Sequence, residues 1–517
     1  MPDDPTMNPG PARGRTSVAF LVTAGLGFLA GFALLFLTRT PALLPTPPSA
    51  PGERVYRANP HYLTDAAGEP RFLLGGYRFF DCDRAEWQAV LDRAQAEGWN
   101  ALRTIAIADG YIADGAEPDH SPRPFRRSGG GRIRADLGQR FNLADLDPRF
   151  WTSYAEFLAE AERRNLTVVS ELFGVSGPFG DRSDRRCAED PVECFRHNLW
   201  HRSNSVGGPA NDRNAWQTMS EARRDFFNPR GSLRAVQNRI LDRYLALTAQ
   251  HANMVYQPVN ELFGREGPDE LDTRAVEAWL STIRDAIRAR HPGATVLLNL
   301  RALDRFPDYG IRAAGYDGIT IHAPHTGNAG DPPYPIERMI AESRTLYPAG
   351  RFFAFDEDVG RPHTCDDYQD VQRQAAWTAL TVGAGGYLLL ENLFLDQPWC
   401  NRCDNPCPRL DPGRDFRHLA RLLRDGTVRP WEMAPDSALV QAGIATGLGD
   451  PVRGAIVYLR SGPQLELDLT RYPGTWAASW FDPRRGEFGP ERPVAGGTLG
   501  VELVPPAAGD WVLFLRR

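Results

Sequence analysis

Between Arg71 and Glu391 the chain alternates short apolar runs with amphipathic stretches of helical spacing, and this alternation limits what it can fold into. The runs are Arg71–Tyr77, Trp99–Ile107, Leu166–Phe173, Met254–Asn260, Ala294–Leu300, Gly318–His322, Phe352–Glu357 and Gly385–Glu391. Helical patterns separate most of them, as at Arg84–Glu97, Trp151–Arg164, Ser232–Gln250, Thr273–Arg290 and Tyr368–Val382. Nearly continuous apolar strands separated by helices predict a parallel sheet, because such strands are buried on both faces. Eight such units over roughly 350 residues predict a closed α/β structure, a (β/α)8 (TIM) barrel. A doubly wound open sheet is the alternative, weakened because no Gly-x-Gly-x-x-Gly follows the first strand.

Reactive groups in such a barrel stand at the carboxyl ends of the strands. Those ends carry Tyr77 and Arg78, Arg103, Glu171, Asn260 and Glu261, His322 and His325, Glu357, and Glu391 with Asn392: a hydrogen-bonding, acidic rim without metal-ligand spacing. A carboxylate at the exit of a buried strand is partly desolvated, which favours its protonated form and suits Glu261 to a general acid. A second carboxylate kept ionised by a nearby cation such as Arg103 suits Glu357 to a nucleophile. Facing one another, they would form the pair of a retaining glycosidase. Asp356 and Asp358 compete with Glu357, but period-two alternation is read as putting both on the opposite face of the strand.

The order and spacing of Glu97-Gly-Trp-Asn-Ala-Leu-Arg103, Asn260-Glu261 after the fourth strand and Glu357 after the seventh resemble the retaining glycoside hydrolases of clan A, the cellulase, mannanase and β-galactosidase type of barrel. The resemblance covers roughly residues 60–430. It implies Glu261 as acid/base, Glu357 as nucleophile, Asn260 bonding the sugar 2-hydroxyl, Arg103 orienting the nucleophile and His322 lining a subsite. His325 and Glu391 are further substrate-binding candidates, and Glu171 a supporting residue. Many relatives carry a Trp after the eighth strand; this chain has Leu390-Glu391-Asn392 there, with Trp399 in the next loop as a substitute. No metal or organic cofactor is implied.

Outside the barrel, residues 16–38 carry no charge between Arg15 and Arg39. That length crosses a hydrocarbon core of about 30 Å as one helix. The organisation expected is therefore a cytoplasmic tail (1–15), a transmembrane signal anchor (16–38), a Pro-rich linker (39–55), the barrel (56–430) and a C-terminal β-sandwich (431–517). This places a single-pass protein at the cell membrane with its barrel outside; secretion after cleavage of the segment is the alternative. The seven cysteines fit an oxidising compartment. Cys187 and Cys194 bracket one loop and are paired in this reading. Cys365, Cys400, Cys403 and Cys407 are the other disulfide candidates, and the odd count leaves either a free thiol, with Cys82 the candidate, or an intermolecular bond. Cys400-x-x-Cys403-x-x-x-Cys407 lacks a close fourth ligand for zinc.

The excursion Gly174–Arg230, with Phe195, Trp200, Asn204 and Trp216, suits a substrate groove or a flap over the barrel mouth. After Arg424 short alternating segments separated by Pro and Gly turns predict a small antiparallel sandwich. Its Trp480-Phe481-Asp482-Pro483-Arg484-Arg485-Gly486-Glu487 and Gly509-Asp510-Trp511-Val512-Leu513 resemble the β domain that accompanies apiosidase-like clan A barrels, a module labelled collagen-binding. Trp480 and Trp511 are read as core residues of that domain.

A net charge of −6 with no concentrated basic patch excludes nucleic acid as a partner. The absence of lysine among 59 basic residues removes Schiff-base chemistry. The sequence reads as a glycoside hydrolase acting on an oligo- or polysaccharide, with protein partners unassigned. A transglycosylase using the same carboxylates and a non-catalytic carbohydrate-binding or surface-assembly protein remain as alternatives.

Overall fold

The computed structural model describes residues 54–80, 83–107, 123–132, 138–174, 201, 204–207, 224–260, 273–300, 315–322, 336–356, 365–390 and 416–517. The expected tail, membrane segment and most of the linker lie outside these residues. Among the described residues, no helix is long and apolar enough to cross a membrane.

Eight parallel strands close into a barrel in chain order, the eighth pairing with the first through Gly386–Leu73 to Leu390–Tyr77. They are Leu73–Phe79, Ala101–Ile107, Thr167–Gly174, Met254–Asn260, Thr295–Leu300, Gly318–His322, Phe352–Asp356 and Gly386–Leu390. All eight coincide with the runs read from the sequence. In the last two the described residues end at Asp356 and Leu390, so Glu357 and Glu391 lie outside them. Gly75 permits the close approach of the first two strands: a Cβ there would lie 1.8 Å from the Ala101 carbonyl oxygen.

The helices pack outside for reasons visible in their spacing. Helix Thr273–Arg290 buries Val276, Trp279, Leu280, Ile283 and Ile287, one stripe at helical period. Helix Arg84–Glu97 starts at Asp83, whose carboxylate accepts from the Ala85 amide, and ends at Gly98 in the left-handed conformation (φ 72°). Three features were not read from the sequence: the hairpin Phe125–Arg132/Gln139–Leu146 after the second barrel strand, and helices Ile336–Leu346 and Phe416–Arg424.

Alternation divides the barrel's side chains. On the seventh strand Phe353 and Phe355 join the outer core against the helices, whereas Phe352 and Ala354 join an inner cluster. That inner cluster also holds Leu63, Leu73, Ala101, Val169, Val255, Leu297 and Leu388, residues toward the amino ends of their strands. The lower barrel is thus an apolar plug, and Leu63 reaches it from a short antiparallel sheet, Arg54–Val55, Leu63–Thr64 and Pro70–Arg71. Polar residues have only the carboxyl half of the interior left to occupy.

The C-terminal strands form one connected antiparallel sheet that includes Val440–Asp450, Gly454–Leu467, Thr475–Asp482 and Trp511–Arg516. The segments 454–459 and 465–469, read separately from the sequence, largely merge into the single strand Gly454–Leu467. Ala455, Val457 and Leu459 face the domain's own core, which holds Trp480 and Trp511, while Ile456 and Tyr458 pack into the barrel's outer core. Both tryptophans are buried, as expected, and neither offers an open stacking face.

Candidate active site

The site is built on Arg103. It stands on the inner face of the second strand, 1% exposed, one alternation above Ala101 in the apolar plug. Its Nη2 donates to Glu171 Oε1 at 2.7 Å and its Nε to the same oxygen at 3.2 Å. Nη2 also donates to Asn260 Oδ1 at 2.5 Å, and Nε lies 3.3 Å from Asp356 Oδ2. One guanidinium therefore ties together the third, fourth and seventh strands.

The network continues round the barrel. Asn299 Nδ2 on the fifth strand donates to Asp356 Oδ2 at 2.9 Å and to Thr320 Oγ1 on the sixth at 2.8 Å. Gln257 Nε2 donates to the same hydroxyl oxygen at 2.6 Å. Arg103, Glu171, Gln257, Asn260, Asn299, Thr320 and Asp356 are each no more than 3% exposed. Strands two to seven together supply this buried polar belt.

Local sequence explains these orientations. On the fourth strand Gln257 and Asn260 both reach inward although they stand three residues apart. Val259 between them packs in the outer core, while the ladder to the third strand stays in step from Met254–Val168 to Asn260–Gly174. On the third strand Ser170 points outward, where Tyr154 and Tyr244 each place a phenol oxygen 2.7 Å from its hydroxyl. This anchors the strand with Glu171 facing in. Burial pushes the ionisation of both phenols well above its ordinary value, so they act here as neutral hydrogen-bonding groups.

Among the described residues, one guanidinium faces two buried carboxylates, and that trio carries a net negative charge when both are ionised. Asp356 Oδ1 is buried and accepts no hydrogen bond among the described residues. A buried carboxylate oxygen left in this state costs free energy that a purely structural site would avoid.

The sequence-predicted residues fall into three groups. Arg103 and Asn260 are brought together as expected, yet Arg103 lies beneath the surface and spends these donors on protein groups rather than on an open cleft. Asp356 departs from expectation: it was read as facing away from the interior, whereas its contacts with Arg103 and Asn299 place it inside. The reason is register, since Phe353 and Phe355 take the outward positions of that strand. Glu261, Glu357, His325, Glu391 and Trp399 lie outside the described residues, as does the side chain of His322, whose backbone pairs with Asp356. Cys82, Cys187, Cys194, Cys400, Cys403 and Cys407 also lie outside them, and Cys365 is described only as the first residue of a helix.

Sequence reasoning missed Gln257, Asn299 and Thr320. Their signal was present: each is a lone polar residue within an apolar strand, in Tyr256-Gln257-Pro258, Leu298-Asn299-Leu300 and Ile319-Thr320-Ile321. Among the described residues, no group of three His, Cys, Asp or Glu side chains could hold a metal ion. Of the long excursion after the third strand, Phe226 and Phe227 pack with Phe173 and Trp279, and Ser205–Val206 pairs with the hairpin strand Gln139–Leu146. These parts of it are packing. Asn204, read as a sugar-recognition candidate, is 2% exposed.

Residues 444–516 match the family described as "Putative collagen-binding domain of a collagenase". No curated protein matches the chain. Among solved structures, a glycoside hydrolase family 5 protein from Bacteroides vulgatus is similar at 15% identity and a TM-score of 0.55, over 90% of this chain and 93% of that one. A second structure from Bacteroides vulgatus, titled a "putative glycoside hydrolase", is similar at 12% identity and a TM-score of 0.58, over 90% and 82%. At such identity the likeness is one of fold, and it extends over barrel and β domain together.

Proposed function

We propose that the chain is a glycoside hydrolase that cleaves an oligo- or polysaccharide with retention, using Glu261 as acid/base and Glu357 as nucleophile. One observation carries the reading: Arg103 touches Asn260 and Asp356, the residues immediately before the two glutamates. A single buried group thereby couples the backbone at both strand ends. Catalysis between two carboxylates depends on their separation, about 5–5.5 Å for retention. Positioning of that kind needs the rigid support this network supplies. The likeness of the whole fold to glycoside hydrolase structures supports the same reading.

In the first step the Glu357 carboxylate attacks the anomeric carbon while Glu261 gives its proton to the departing glycosidic oxygen. In the second, water attacks the glycosyl ester, Glu261 takes back a proton, and Glu357 is released as a carboxylate. The uncharged stretch 16–38 supports attachment to the cell membrane with the barrel outside. Membrane fractionation of cells expressing the full chain tests that attachment.

The function is tested with a panel of aryl glycosides and cell-surface polysaccharides, with the Glu357→Gln variant as blank. Hydrolysis by the wild type alone, with the first-formed product keeping the substrate's anomeric configuration by NMR, is the expected result. Equal, slow hydrolysis by both proteins on every substrate would remove the proposal.

A further inference from the structure

The polar belt contains a carboxylate that the two-glutamate mechanism does not use. Asp356 stands on the inner face at the end of the seventh strand, 0% exposed, directly before Glu357 in the chain. Its Oδ2 accepts from Asn299 at 2.9 Å and lies 3.3 Å from Arg103 Nε. Its neighbours in the ladder are His322 on the sixth strand and Leu388 on the eighth. A neutral residue would seat here more cheaply, because an ionised carboxylate in the interior must be offset by its partner, and Arg103 is shared with Glu171.

We infer that Asp356 is a positioning residue for the glycosidase reaction: held by Asn299 and Arg103, it fixes the backbone from which Glu357 projects and sets a carboxylate next to it in the chain. This rests on the proposed pair of glutamates and adds to it. Residues adjacent in the chain have Cα atoms about 3.8 Å apart, so whatever holds Asp356 constrains the starting point of the Glu357 side chain. When ionised, that carboxylate has a use as well. The transition state of glycoside cleavage is cation-like at the anomeric carbon, and a fixed anion close to it stabilises that charge without reorganising.

The charged and titratable groups around Asp356 set the sign of its effect on pH dependence. Among the described side chains they are Arg103 and, through it, Glu171; Glu357 is next in the chain, and the side chain of His322, the ladder neighbour, lies outside the described residues. A like charge disfavours ionisation of its neighbour. Substituting Asp356→Asn removes one negative charge, while the new amide oxygen still accepts from Asn299. Glu357 then ionises more readily, and the acid limb of kcat/KM moves to lower pH by about one unit. The rate falls as well, by roughly ten- to a hundred-fold in kcat, because small misplacements at a reacting centre are costly. KM stays nearly unchanged, since Asp356 is buried and does not meet the sugar.

The experiment compares pH profiles of full-length wild type, Asp356→Asn and Glu357→Gln on one aryl glycoside. It also labels the wild type with an activated 2-deoxy-2-fluoro glycoside and maps the modified peptide by mass spectrometry. Support consists of a label on Glu357, a weakened but active Asp356→Asn with its acid limb shifted down, and an inactive Glu357→Gln. A label on Asp356 would overturn the inference by making that residue the nucleophile itself, and this arm needs no variant to fold. Asp356→Asn with unchanged rate and acid limb, beside an inactive Glu357→Gln, would overturn it while leaving the proposed function standing. A wild type that is neither active nor labelled would remove the function and this inference with it.

Discussion

Among the described residues two arginines lie buried, and their surroundings differ. Arg373, on helix Cys365–Thr381, meets Asp510 of the β domain fork to fork, Nε to Oδ2 at 3.0 Å and Nη2 to Oδ1 at 2.9 Å. Tyr458 completes the arrangement by donating to Asp510 Oδ2 at 2.9 Å. Arg103 in the barrel aims both Nε and Nη2 at a single oxygen of Glu171 and has a second buried carboxylate against Nε. Of the two carboxylates on Arg373 only Asp510 is buried and paired fork to fork, the geometry in which a buried ion pair best offsets its desolvation, while Asp370, whose Oδ1 lies 2.7 Å from Nη2, is 62% exposed. Among the described residues the barrel cluster sets two buried carboxylates against one guanidinium, an arrangement that no stability argument favours. Charge imbalance in the interior is therefore the better guide to function, and a balanced buried pair the better guide to architecture.

That contrast breaks most visibly at Arg103. Arg103→Met leaves Glu171 and Asp356 buried without their cation, and we expect a loss of about 3–5 kcal/mol at pH 7 together with loss of glycosidase activity. The pH dependence follows from proton binding. Without the guanidinium, the folded variant holds protons on these carboxylates that the unfolded chain has already released. Its stability relative to wild type therefore falls as pH rises from 5 to 7. Urea titrations at the two pH values check this, and a penalty equal at both would show that the carboxylates carry no uncompensated charge.

At the seam, Arg373→Ala strands Asp510 and should cost about 3 kcal/mol, with activity per folded molecule retained. The sharper test is the triple substitution Arg373→Met, Asp510→Leu, Tyr458→Phe, which removes the three buried polar partners at once and leaves only the exposed Asp370. It should lie within roughly 1 kcal/mol of wild type, because an apolar replacement of a buried pair is often neutral. A triple variant as unstable as Arg373→Ala would mean that the seam pair does more than balance itself. Trp377, stacked on Tyr458 with ring centroids 6.2 Å apart, would still hold the domains together.

Most of the barrel was legible in the sequence because its strands are apolar on both faces, and length with period then identifies them. The site was legible only in part. Asn260 and Arg103 stood out as polar residues at strand ends, but which face a side chain takes there is not fixed by strict alternation. Gln257 and Asn260 both reach inward although the ladder stays in step, and at Asp356 the outward positions are already occupied by Phe353 and Phe355. Counting in twos back from Glu357 placed Asp356 on the wrong side. The hairpin Phe125–Arg132/Gln139–Leu146 escaped notice because its first strand, Phe-Arg-Arg-Ser-Gly-Gly-Gly-Arg, has neither the alternation nor the residue types of a strand.

The smallest expected effect lies on the seam's exposed rim. Glu337, in the first turn of helix Ile336–Leu346, pairs with Arg460 on strand Gly454–Leu467. The hydrogen bond from Arg460 holds the Glu337 carboxyl below its usual range. A carboxylate with a depressed folded value adds stability above its unfolded value, near 4.5, and loses it as pH falls through the folded value. The side chain is 63% exposed, so solvent screens the pair and the contribution is at most about 0.5 kcal/mol. Glu337→Gln should therefore differ from wild type slightly at pH 7, less in 1 M salt, by a shrinking amount as pH falls below 4.5, and not at all once it is below the folded value. Chemical denaturation of both proteins at pH 7 and pH 3.5 decides the matter. A difference above 1 kcal/mol that survives acid would place Glu337 with the buried seam rather than on its rim.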